Sequence, residues 1–97
     1  MKVSLPTRIM LSPEVFFQEL EGEAVLLDLH NEYYYSLDDV GTRMWQLLVE
    51  HREVATVVER LLAEYDVDEA TLRRDLAQLI AALADAGLVT VEPLTKP

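Results

Sequence analysis

The chain opens its regular pattern with short runs of aromatic and branched residues and then changes to long stretches of helical periodicity. Val15 to Leu20 has the composition of a strand, and Glu21-Gly22 after it supplies a turn, since glycine accepts positive φ without steric cost. Ala24 to Leu29 is almost continuously apolar, as expected of a strand central in its sheet or covered on both faces. His30, Asn31 and Glu32 interrupt that run. Tyr33, Tyr34, Tyr35, Ser36 and Leu37 predict a third strand, because aromatic side chains suit a pleated, half-buried surface. Three strands joined by short turns form an antiparallel meander whose middle strand is paired on both sides and whose outer strands are edges.

Helical spacing takes over at Asp38, a good N-cap. Val40, Met44, Leu47, Leu48 and His51 follow the period, with Trp45 beside the stripe. A second helix is predicted by Val54, Val57, Val58, Leu61, Leu62 and Tyr65, although Glu53 is a poor cap for it. Asp68 can cap a third helix, in which Leu72, Leu76, Leu79, Ile80 and Leu83 form the buried stripe and Gly87 provides the C′ stop. Leu88 to Val91 either pairs as a small strand or covers the core. The predicted class is α+β and winged-helix-like: a three-stranded antiparallel meander, three helices and a short C-terminal strand. The expected organisation is an N-terminal arm over 1–13, where Pro6 and Pro13 leave little periodicity, one domain over 14–92, and a tail over 93–97.

Composition narrows the function. Ninety-seven residues, 51% of them hydrophobic, suffice for one modest core and leave no room for a second domain. The formal net charge of -10 repels phosphate backbones, so nucleic acid is not an expected partner. The chain contains no cysteine, which excludes disulfides, thiolate nucleophiles and cysteine-ligated zinc, and fits a reducing cytoplasm. No stretch has the length of a membrane span or the form of a signal peptide, so no membrane association is expected.

Catalytic equipment is equally sparse. His30 and His51 fall in different elements without paired-ligand spacing, and Asp66, Asp68 and Glu69 lack the glycine-centred loop that calcium requires. With Gly22, Gly41 and Gly87 as its only glycines, the chain has no loop to cradle phosphates. The expectation is a protein that is not an enzyme and takes no cofactor or metal.

What remains is surface. A winged-helix order raises DNA reading by the third helix, but its Arg73 and Arg74 alternate with Asp68, Glu69, Asp75 and Asp85. The first strand is guarded by Pro13 and by Glu14, Glu19 and Glu21, whereas Tyr33 to Leu37 carries no charge, lysine or proline. Such an edge is either covered by another part of the fold or receives a strand. On a wheel of about 100° per residue, one flank of the third helix holds Ile80, Arg73, Ala84 and Ala77, and the other holds the more polar Asp75, Ala82 and Gln78. The first flank offers small residues for close backbone approach, apolar contact at Ile80 and a cation at Arg73, although alanine's helix propensity alone also explains its alanines. Strand and flank together describe a groove for an extended peptide.

The ordered set Val25-Leu26-Leu27-Asp28-Leu29, Tyr33-Tyr34-Tyr35-Ser36-Leu37-Asp38, Gly41, Trp45-Gln46-Leu47-Leu48, Tyr65-Asp66-Val67-Asp68, Asp75 and Gly87-Leu88-Val89 resembles the PqqD-like family, the leader-recognition elements of ribosomally made peptide products. The resemblance runs from Val15 to Val91. It implies a non-catalytic module that binds a precursor's leader segment as an added strand against its third strand and third helix. On that basis the peptide site is expected at Tyr33, Tyr34, Tyr35, Ser36 and Leu37, faced by Arg73, Ala77, Ile80 and Ala84, with Leu76 at the border. The chain is similar in size to free-standing elements of lasso peptide pathways, which work beside a separate leader peptidase and a cyclase; other free-standing members serve radical enzymes in quinone cofactor synthesis. Asp38 replaces the family's common Asn and preserves capping. The alternatives from a different class are a winged-helix regulator or a dimerisation module in which the tyrosine strand pairs with its twin.

Overall fold

A computed structural model describes residues 5–13, 15–29 and 32–92. The expected guard Glu14, the strand-breaking His30 and Asn31, and the tail 93–97 lie outside the described residues. The elements in chain order are β1 (Arg8–Leu11), β2 (Val15–Leu20), β3 (Glu23–Asp28), β4 (Tyr33–Ser36), α1 (Asp39–His51), α2 (Val54–Glu64), α3 (Glu69–Asp85) and β5 (Val89–Glu92). The meander, the three helices and the short last strand follow the pattern read from the sequence. β2, β3 and β4 form an antiparallel sheet in that order, with β3 central.

The β2–β3 connection is a two-residue turn in which Glu21 and Gly22 both take positive φ, 54° and 82°. That conformation matches the right-handed twist of the flanking strands. One face of β3, carrying Ala24 and Leu26, is buried against α1. The Thr42 hydroxyl fastens the two layers: it accepts from the Ala24 amide at 2.7 Å and donates to the Leu37 carbonyl at 3.4 Å. Trp45 is fully buried, and Phe17 of β2 meets its ring edge-on at 5.5 Å. The core continues through Leu48, Val57, Val58, Leu61, Leu72, Leu76, Ile80 and Leu83.

The helix ends obey local chemistry. Asp38 caps α1 by accepting from the Gly41 amide at 2.8 Å, and Asp68 caps α3 by accepting from Thr71 at 3.2 Å. Glu53, the poor cap, makes no side-chain capping bond to α2. Gly87, at φ +80°, stands just past α3 in the left-handed conformation that a C′ glycine supplies. Arg43 donates to both carboxylate oxygens of Glu64, at 2.8 and 2.6 Å, joining α1 to α2. The hydrogen bond from the guanidinium holds the Glu64 carboxyl below its ordinary range.

Several expectations are corrected. Residues 8–11 of the presumed arm are a strand: β1 pairs antiparallel with β5, and Ile9 is 1% exposed. Its partner lies some eighty residues away, so no local pattern reveals it. Tyr65 is the C-cap of α2 in an extended conformation and not part of the buried stripe. Val40, expected on the buried face of the first helix, is 44% exposed, and Leu29 lies beyond the end of β3.

Candidate functional site

Backbone bookkeeping in the sheet defines the site. The Leu37 amide donates to the Ala24 carbonyl at 2.9 Å, which makes Ala24 and Leu37 a hydrogen-bonded pair. Antiparallel pairs alternate, so Leu26–Tyr35 and Asp28–Tyr33 are bonded pairs too, and the amides and carbonyls of Tyr34 and Ser36 point away from β3. Among the described residues no strand pairs with that outer side of β4.

The same alternation sorts the tyrosines. Tyr33 and Tyr35 share the face of Leu26, toward the helices, while Tyr34 lies with Leu27 and Phe16 on the opposite face and is 67% exposed. Two clefts flank Tyr35. The first, of about 480 Å³, runs from Tyr35, Ser36, Leu37 and Asp38 to Val40, Gly41 and Met44 of α1 and to Asp75 and Leu79 of α3. The second, of about 530 Å³, lies between Tyr33 and Tyr35 on one side and Ala82, Asp85 and Ala86 on the other. Asp75 therefore faces the C-terminal end of β4 and Ala86 its N-terminal end, so the helix runs antiparallel to the strand along one groove. Gly41 at its mouth leaves no spare room: an added Cβ would meet the capping Asp38 Oδ1 at 3.1 Å.

The strand wall thus contains the expected Tyr33, Tyr35, Ser36 and Leu37, with Tyr34 contributing outward main-chain groups. The helix wall is not the expected one. Leu76 and Ile80, 0% and 3% exposed, belong to the core, and Ala77 and Ala84 pack against it. Arg73 donates to Glu69 at 2.8 Å and lines a separate cavity of about 250 Å³ with Leu5, Pro6, Thr7, Val54 and Ala55. None of these five residues lines either cleft. The groove uses the other flank of α3. Helical periodicity identifies the buried stripe, but either side of it could face the strand, and the polarity of Asp75 pointed away from the side that lines these clefts. Leu79, expected in the centre of the stripe, is half-buried at the groove. The small residues Ala82 and Ala86, four apart, were the signal for this wall.

The fold closely matches solved structures. The structure entitled "TbiB1 in Complex with the TbiA(beta) Leader Peptide" superposes with a TM-score of 0.79 at 39% identity, over 82% of this chain and 93% of that one. "Lasso peptide synthetase B1 complexed with the leader peptide" gives 0.77 at 29% identity, over 86% and 98%. A protein of Rhodopseudomonas palustris (strain TIE-1) named "PqqA binding protein" is 32% identical over 60 residues, 62% of this chain; the match spans 59% of that relative's length. The family pattern described as "Coenzyme PQQ synthesis protein D (PqqD)" matches residues 23–89, from the first residue of β3 to the first of β5. On that match, the chain belongs to the PqqD family.

Proposed function

We propose that this protein captures the leader segment of a ribosomally made precursor peptide by adding it as a strand to β4, and presents it to processing enzymes. The observation that carries the reading is the open outer side of β4, with the main-chain groups of Tyr34 and Ser36 directed into a groove walled by α3. Backbone pairing supplies affinity with little demand on sequence, while the clefts on either side of Tyr35 accept alternate side chains of the visiting strand. TbiB1 and the lasso peptide synthetase B1 are both structures with a leader peptide bound, and their near-complete overlap with this chain supports the same use of the groove.

The protein holds its peptide without chemically changing it, and cutting and ring closure fall to separate partners, a leader peptidase and a cyclase. Maturation of a lasso peptide is favoured over service to a radical enzyme in quinone cofactor synthesis. Support comes from the leader-bound lasso peptide synthetase B1, which superposes on this chain over 98% of its own length with a TM-score of 0.77. A cytoplasmic setting suits a chain without cysteine. The test is fluorescence polarisation with labelled leaders, both from precursors encoded beside this protein's gene and from TbiA(beta). Saturable binding that competes with the unlabelled leader is expected. No saturable binding, or a constitutive dimer in sedimentation that Ser36→Pro dissolves, overturns the proposal in favour of pairing between twin β4 strands.

A further inference from the structure

The groove is acidic from end to end. Among the described residues its lining includes Asp38, Asp75 and Asp85 and no lysine, arginine or histidine. Asp38 is occupied as the cap of α1. Asp75 and Asp85 are exposed, and neither makes a hydrogen bond or ion pair with a described residue, whereas Glu64 and Glu69 are matched to Arg43 and Arg73. Asp85 is also locally unfavourable. It is the last residue of α3, where the helix dipole disfavours negative charge, and the final turn has no basic residue to offset it. A charge that its own helix disfavours, at the wall of a groove, is the kind of local conflict found at functional surfaces.

Spacing makes the complement specific. Asp75 and Asp85 are ten positions apart on one helix, about 15 Å at the helical rise. Side chains at i and i+4 of a strand lie on one face about 13 Å apart, whereas i and i+3 point to opposite faces. Because α3 runs along β4, a strand added to β4 follows the same line. We infer that the groove selects leaders with two basic side chains, four residues apart, on the face turned toward α3, one meeting Asp75 and the other Asp85. The inference rests on the peptide-binding reading above and specifies its ligand. It also reverses the charge preference that Arg73 would have imposed had it lined the groove.

The experiment uses the full chain and labelled TbiA(beta) leader peptide, with variants carrying a lysine pair or a glutamate pair at i and i+4, stepped through every register. In one register the lysine pair is expected to bind about five- to tenfold more tightly than the glutamate pair, the range expected of two partly exposed ion pairs. That gap should close to about twofold or less at about 0.5 M salt, where screening acts over a few ångströms. It should close likewise in the Asp75→Asn, Asp85→Asn double variant, whose substitutions are exposed and leave the core untouched. Lysine pairs at i and i+3 should show a smaller gap. Lysine and glutamate pairs that bind alike in every register, while the parent leader binds saturably, overturn the inference and leave the peptide-binding reading standing. No saturable binding of any peptide removes that reading and the inference with it.

Discussion

The meander ends in two edges that are alike in backbone and unlike in surroundings. β3 turns Ala24, Leu26 and Asp28 toward β4 and the residues between them toward β2. By alternation, Val15, Phe17 and Glu19 of β2 direct their main-chain groups outward just as Tyr34 and Ser36 of β4 do. At β2 the surroundings differ: the Val15 amide donates to the Ser12 carbonyl at 3.3 Å, and the side chains of Phe17 and Glu19 lie against α1, Phe17 on Trp45 and Glu19 accepting from Gln46 at 2.9 Å. Charges at Glu19 and Glu21 discourage a visiting chain. At β4 the outward residues are uncharged and the edge opens onto two clefts backed by α3. A receiving edge is therefore defined less by its unpaired amides than by what stands beside it.

The comparison breaks most completely if α3 is unseated. Leu76→Ala removes a fully buried side chain that anchors this wall, and should cost about 2–5 kcal/mol of stability in denaturant unfolding. Next comes the edge itself. Ser36→Pro deletes an outward amide, and leader affinity should fall about tenfold or more, while Glu19→Pro at the equivalent outward position of β2 leaves it within about twofold. Equal losses at both edges would show that β4 is not privileged. The two flanks of α3 are separated by a smaller effect: Ala82→Trp fills the second cleft and should weaken leader binding about fivefold, whereas Arg73→Glu should change it little. The smallest effect lies in the turn. Glu21→Asn relieves a bulkier residue from positive φ and should raise stability by up to about 1 kcal/mol without altering leader affinity.

Much of the molecule was legible before any coordinates. The helices were readable because their stripes are local, and Asp38, Asp68 and Gly87 mark ends by chemistry confined to one turn. β2, β3 and β4 were readable because short turns join them and β-prone residues fill them. β1 was not, since four residues between prolines acquire meaning only from Val89–Glu92 at the far end of the chain.

The amino-acid sequence alone determined that one edge of a small sheet is aromatic, uncharged and free of proline, because composition and alternation are properties of the strand itself. Only the tertiary structure decided which flank of α3 completes the groove, and with it that the wall carries Asp75 and Asp85 and not Arg73. A helical period repeats the same stripe whichever way the helix is laid beside a strand. The choice between its two sides is made by how the strap of β1 and β5 and the buried contacts of Leu72, Leu76, Ile80 and Leu83 seat the helix against the sheet.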